Sequence, residues 1–224
     1  MNSLSLEFAG AALELRGSRC LWWPAQRLLC VSDLHLGKSE RTARRGGPLL
    51  PPFDGMDTLA RLSEEIAQLD PRLVVCLGDS FDDLAAAEAL PDAERMRLDV
   101  AMAGRDWIWI EGNHDPGPVN LGGTHLAELA LDGLTFRHIA HPQSEPGEIS
   151  GHYHPKVILH TRGKTVRRAA FVHDRRRLML PAFGTFTGGL NVRDSAICGL
   201  MEPDAQVIMA GRSVTALPLS GLLR

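Results

Sequence analysis

The run Trp107-Ile-Trp-Ile-Glu-Gly-Asn-His-Asp115 carries structure and chemistry side by side. Its first four side chains are apolar without a break, as in a strand covered on both faces. Its last four, Gly112-Asn113-His114-Asp115, form a tetrapeptide expected about 0.001 times by composition in 224 residues, so it is signal and not background. Two apolar runs upstream behave alike. Leu28 to Val31 leads into Asp33-Leu-His35, and Leu73 to Leu77 leads into Gly78-Asp79-Ser-Phe-Asp82. Between them Leu59, Leu62, Ile66 and Leu69 recur at helical spacing, with Asp57 as a candidate cap and Pro71 as the stop. Pro91 to about Ala103 predicts a second helix. The order strand, helix, strand, helix, strand puts the polar clusters at the carboxyl ends of strands, where open sheets hold functional groups.

Toward the amino terminus, Leu4 to Phe8 and Leu13 to Leu15 alternate around Gly10 and predict a hairpin. Beyond Gly117 the texture changes to short strands at Leu134 to His138, Val157 to Thr161, Ala170 to His173 and Leu178 to Leu180, with no long helix. The expectation is an α/β fold in one domain over residues 1–224, two β-sheets packed together and flanked by helices. Hydrophobic residues at 44% and charged residues at 23% exclude disordered, collagenous and coiled-coil chains. A net charge of −3 excludes attraction of the whole molecule to nucleic acid or membranes. Cys20, Cys30, Cys76 and Cys198 form no CxxC, and Cys30 and Cys76 lie in apolar runs, so core packing is expected and a zinc or redox motif is not. Trp22, Trp23, Trp107 and Trp109 are likewise expected in the core. Neither a signal-type leader nor a membrane-length apolar run is present, which reads as a cytoplasmic protein with no membrane partner.

A fourth cluster, Gly151-His152-Tyr-His154, completes the set. Carboxylate, imidazole and amide oxygen without thiolate are donors for divalent Mn, Fe or Zn. A single carboxylate between two cations about 3.5 to 4 Å apart would offset their repulsion, and Asp79 is the natural candidate.

In this order the motifs DxH, GDxxD, GNHD, an isolated His and GHxH resemble the calcineurin-like metallophosphoesterase superfamily. The resemblance implies a four-layer fold with two mixed sheets inside and helices outside, and two divalent ions, with Mn²⁺ the leading choice and Fe or Zn as alternatives. It implies that Asp33, His35, Asp79 and His154 hold one ion and that Asp79, Asn113, the isolated His and His152 hold the other. That His is either His138 or His141; His138 is preferred because it ends a predicted strand. Activated water would attack phosphorus in line, His114 would protonate the leaving oxygen, and Asp115 would orient the His114 ring.

The metal motifs leave the substrate open, so charge placement matters. Residues 38–45 contain Lys38, Arg41, Arg44 and Arg45 against Glu40; residues 162–177 contain seven bases, among them Arg167 and Arg168, against Asp174; residues 57–106 carry −7. Lys38, Arg41, Arg44, Arg45, Arg167 and Arg168 are therefore candidates for binding a polyanion's phosphates, although basic strands also protect sheet edges. The DLHLGK run with its Arg-rich sequel and Pro51-Pro52, the GEISGHYHPK run, and the stretch from Arg177 to Leu190 resemble the ligase-associated DNA-damage-response endonuclease branch. That resemblance implies a phosphodiesterase acting on DNA in repair, associated with an ATP-dependent DNA ligase and a helicase. Competing readings are a hydrolase of cyclic nucleotides, nucleotides or other small phosphoesters, and a scaffold with the same fold but no catalysis. The stretch Pro181 to Gly189 is expected to form a strand-turn-strand wall of the site.

Overall fold

A computed structural model describes residues 2–47, 51, 53–161 and 163–223. Pro52 of the proline pair and Arg162 of the basic stretch lie outside the described residues.

The predicted hairpin pairs β1 (Ser3–Phe8) with β2 (Ala11–Arg16), Leu4 opposite Leu15. The chain continues through β3 (Leu21–Trp23) and β4 (Leu28–Val31), which are antiparallel, and then through β5 (Leu73–Leu77), β6 (Asp106–Ile110) and β7 (Thr124–Leu126), which run parallel to β4. These seven strands form one mixed sheet in sequence order. The second sheet is also mixed: β10 (Glu148–Ser150) is parallel to both β9 (Leu134–Arg137) and β13 (Arg177–Met179), while β8 (Glu128–Leu131), β12 (Lys164–His173), β14 (Gln206–Met209) and β15 (Thr215–Pro218) pair antiparallel. The strand β11 (Lys156–Thr161) pairs with β12 alone, as a hairpin arm.

Alternation along the parallel strands explains the layering, because successive side chains of a strand face opposite ways. Leu28, Cys30, Val75 and Leu77 point into the layer between the sheets with Phe136, Ile149, Phe171 and Ile208. Leu29, Val31, Val74 and Cys76 point the other way, against Leu59, Leu62 and Ile66 of the long helix and Leu98 of the next. A strand with helix on one side and sheet on the other must be apolar throughout, which is what the continuous runs encode. All four tryptophans are buried, Trp107 and Trp109 with ring centroids 5.5 Å apart. Phe136 and Phe171 are wholly buried; truncating either to Ala would cost about 3–5 kcal/mol.

The helices are α1 (Lys38–Arg44), α2 (Asp54–Leu69), α3 (Leu84–Glu88), α4 (Asp92–Met102), α5 (Ser195–Cys198) and α6 (Leu219–Leu222). Of these α2 and α4 match the predicted pair, but α2 starts before Asp57. That residue caps nothing: its carboxylate accepts from Thr185 Oγ1 at 2.5 Å and pairs with Arg61 at 3.2 Å. A charged helix without an apolar stripe, α1 has no sequence periodicity to announce it. The Pro181 to Gly189 stretch forms a wall, as expected, but without strands: its backbone spends its donors on the loop after β4, with Phe183 N–H bonded to Ser32 O at 2.7 Å and Gly184 N–H to Asp33 O at 3.1 Å. Among the described residues no helix is long and apolar enough to cross a membrane.

Candidate metal centre

Three loops of the first sheet and two of the second converge beyond the carboxyl ends of β4, β5, β6, β9 and β10. The loops after β4 and β5 zip past the strands, with Asp33 N–H donated to Gly78 O at 3.2 Å, His35 N–H to Asp79 O at 2.9 Å and Leu36 N–H to Ser80 O at 2.9 Å. Holding these side chains inward bends the backbone into the left-handed region at Asp33 (φ 53°), His35 (47°), Asp79 (46°), His152 (69°) and His154 (47°). Such conformations cost about 1–3 kcal/mol each and concentrate at functional sites. The motif glycines have a packing reason. A Cβ on Gly78, itself at φ 75°, would overlap the His138 ring, and one on Gly112 would overlap the Asp79 backbone and the Asp115 carboxylate.

Two groups of donors result. In the first, Asp33 Oδ1 lies 3.0 Å from His154 Nε2, and His154 Nε2 lies 3.5 Å from His35 Nε2. In the second, His138 Nε2 lies 3.0 Å from Asn113 Oδ1, 3.3 Å from His152 Nδ1 and 3.3 Å from Asp79 Oδ2. Asp79 Oδ2 is also 4.0 Å from His35 Nε2, so it stands between the groups. All seven expected ligands meet here, and His138 is the isolated histidine that does so. His141 is exposed, its ring accepting from Gln143 N–H.

The proton inventory tests whether this set suits cations. His138 Nδ1 is 3.1 Å from Leu77 O, and a carbonyl only accepts, so Nδ1 carries the proton. A neutral ring then turns the lone pair of Nε2 toward two oxygens and a third nitrogen, a convergence that a positive charge satisfies and a hydrogen-bond network does not. The wholly buried Asp33 Oδ1 makes no aligned hydrogen bond either. The donors fit divalent cations.

Without cations, protons supply part of that charge. Burial alone would raise the Asp79 carboxyl, but the His138 hydrogen bond and charge hold it down at about 2. Burial opposes protonation of His138, yet Asp79 and Asp33 push its pKa above the usual imidazole value. His152 is lowered by burial and by the nearby His138 charge.

Two residues behind the cluster were visible in the sequence but carried no assigned role. Asp82 is buried, and its Oδ1 lies 2.8 Å from His35 Nδ1, out of line for a hydrogen bond but close enough to steady the ring as an ion pair. Ser32 Oγ donates to Asp33 Oδ2, which also accepts from His152 N–H at 3.1 Å. The expected partnership of Asp115 with the His114 ring is corrected. Asp115 accepts instead from the backbone N–H of Asp79, Ser80, Phe81 and Gly112, at 2.7 to 3.1 Å, and so shapes the loop that carries Asp79. Burial and the Asp79 charge still raise its carboxyl to about 6. The His114 ring is held by Asp82 O, 2.8 Å from Nδ1, which leaves Nε2 free.

Lys38, Arg41, Arg44 and Arg45 lie on or beside α1, and Arg167 and Arg168 are exposed on β12. None of the six belongs to the donor cluster.

Two facing mixed sheets with a histidine and carboxylate cluster across their loop edge define a metallophosphoesterase. The calcineurin-like phosphoesterase family model matches residues 26–174, and the chain belongs to that family; it is a metal-dependent phosphoesterase. Among solved structures, the nuclease MPE of Pseudomonas putida is 30% identical over 96% of this chain and 100% of that one, with a TM-score of 0.75. Yfce, a phosphoesterase from E. coli, is 14% identical over 87% of this chain and 94% of that one, with a TM-score of 0.35. No curated protein matches the chain.

Proposed function

We propose that the chain is a phosphodiesterase with two divalent ions, Mn²⁺ first among the candidates, that cuts DNA as an endonuclease in repair. It would act as a single domain in the cytoplasm, alongside an ATP-dependent DNA ligase and a helicase. The likeness to a Pseudomonas putida nuclease over nearly the full chain supports the substrate class. The observation that carries the proposal is the position of Asp79 Oδ2, 3.3 Å from His138 Nε2 and 4.0 Å from His35 Nε2, between two groups of donors.

Asp33, His35, Asp79 and His154 would hold one ion, and Asp79, Asn113, His138 and His152 the other. When bound, two such ions lower the pKa of water and offset charge on the phosphoryl oxygens. The protein residues do the rest. His114, its Nδ1–H given to Asp82 O, presents Nε2 as the acid that delivers a proton to the departing oxygen. Asp82 steadies the His35 ring, and Asp115 acts as a positioning residue through the Asp79 loop.

The test is to assay wild type and Asp79→Asn on nicked, single-stranded and circular duplex DNA and on bis-p-nitrophenyl phosphate. Mn²⁺, Fe²⁺, Zn²⁺ and Mg²⁺ are each supplied in turn, and bound metal is measured. Two metal equivalents and DNA cleavage in wild type, both lost in the variant, are expected. Cleavage of the small ester without DNA would overturn the DNA assignment.

A further inference from the structure

The two basic stretches of the sequence meet different fates in the fold. On α1 the cations find acids: Arg41 lies 2.8 Å and Lys38 3.7 Å from Asp82, Arg44 pairs with Glu40 at 2.9 Å and Asp83 at 3.0 Å, and Arg45 is 4.0 Å from Asp83. Acids from the next loop and from α1 itself leave that surface little net charge. Near β12 the opposite holds. Arg19, Lys156, Arg167, Arg168 and Arg212 have no carboxylate within ion-pair distance among the described residues.

Strand register gathers these five. The β11–β12 hairpin sets Lys156 opposite Ala169 and Val157 opposite Arg168. Ala210 N–H bonds to Ala169 O at 2.9 Å, which brings Gly211 and Arg212 alongside. The turn holding Arg19, between β2 and β3, closes the space from the first sheet. Arg61 of α2 enters too, its guanidinium 4.6 Å from the Phe183 ring centroid. The result is a groove of about 610 Å³ lined by Arg19, Arg61, Lys156, Arg167, Arg168 and Arg212. Through Arg19 and Lys156 it joins a pocket of about 290 Å³ whose wall includes His154, a residue of the metal cluster. Asp57 is the one acid on the lining of either space among the described residues, and it is occupied by Arg61 and Thr185.

Six cations and one occupied carboxylate along a path that starts at a phosphoesterase centre have a chemical complement. That complement is a chain of phosphates, which guanidinium groups bind through paired N–H donors. A small ester would fill only the first pocket. Arg19 shows the shortage of counter-charge most plainly, since burial and the Arg61 guanidinium both disfavour its charge and only Asp57 favours it.

We propose that this groove, and not α1, is the track that holds the phosphates of the nucleic-acid strand flanking the bond to be cut. The inference rests on the DNA reading above and adds Arg19, Arg61, Lys156 and Arg212 to the surface.

The experiment uses Arg168→Ala with Arg212→Ala, both exposed and unpaired, and as a competing arm Arg44→Ala with Arg45→Ala on α1. Binding of a fluorescein-labelled mixed-sequence oligonucleotide, single-stranded and annealed, is followed by anisotropy across a salt series without added metal. Cleavage of the same oligonucleotide and of bis-p-nitrophenyl phosphate is followed with Mn²⁺. The groove pair is expected to weaken binding about tenfold and to flatten the slope of log K against log salt by about 1.4 to 1.8, two phosphate contacts' worth. The ratio of oligonucleotide to small-ester kcat/KM falls in step, through KM. Arg168→Lys with Arg212→Lys should restore most of the slope. An unchanged slope in the groove pair, or a larger loss in the α1 pair, overturns the track while leaving the DNA reading intact. Wild type that hydrolyses the small ester but binds no oligonucleotide overturns both.

Discussion

The two sheets bring unlike halves to the site. From the first come every carboxylate of the cluster, Asp33 and Asp79, together with Asn113 and one imidazole; from the second come His138, His152 and His154 alone. Asp33 is wholly buried and Asp79 nearly so, a placement that would be costly for two anions without a positive complement. The second sheet supplies that complement, which is why the Asp79 carboxyl is depressed and His138 is raised. The difference teaches that the site is not grafted on one sheet and roofed by the other. It exists only where they meet, so docking of the sheets and assembly of the chemistry are one event.

Breaking the first half at its most shared atom has the largest expected effect. Asp79→Asn should lower turnover of bis-p-nitrophenyl phosphate by about 10⁴-fold or more, since several kcal/mol of charge stabilisation depend on it. Metal analysis should show both ions lost. His138→Ala, from the other half, should lose the second ion first, whereas a variant at the exposed His141 should bind the full complement. Next comes His114→Ala. It should retain the metals yet turn over about 10²- to 10⁴-fold more slowly, the usual worth of one proton-transfer group; wild-type rates there would remove His114 from the chemistry. Asp82→Asn, behind His35, should weaken metal affinity by about 10- to 100-fold, read by competition with a chelator.

The smallest effect sharpens the contrast from outside the interface. Glu94 on α4 is buried against Gly55 of α2, and its Oε2 has no hydrogen-bond partner. With no imidazole to meet it, burial and then the Asp54 charge push its carboxyl up, opposite to Asp79. A carboxyl raised in the folded state favours folding below its unfolded pKa of about 4.3, and the benefit is lost as pH rises through the folded value. Glu94→Gln should therefore be the more stable protein at pH about 7, by about 1–3 kcal/mol in urea denaturation. The gap should close as the acid range is approached; a constant gap would mean the charge is not the cause.

Much of this arrangement was legible before any coordinates. Continuous apolar runs announced β4, β5 and β6 because burial on both faces leaves no room for alternation. The polar tetrapeptides after them announced the site because their composition is improbable. What stayed hidden depends on distance in sequence. That Asp115 serves four backbone N–H groups around Asp79, that Asp57 answers to Thr185, and that Asp83 neutralises α1 are all tertiary pairings with no local pattern. Arg19 gave no signal at all. It sits alone in a turn and becomes part of a basic groove only through strands 130 or more positions away.

The left-handed backbone at Asp33, His35, Asp79, His152 and His154 carries one more implication. Asp, Asn and His are the non-glycine residues that adopt that geometry most readily. They are also the oxygen and nitrogen donors that hard and borderline cations accept. The same short alphabet can thus spell both the bend and the bond, and a replacement such as alanine erases both words together. Swapping Asp for Asn keeps the bend and silences only the charge.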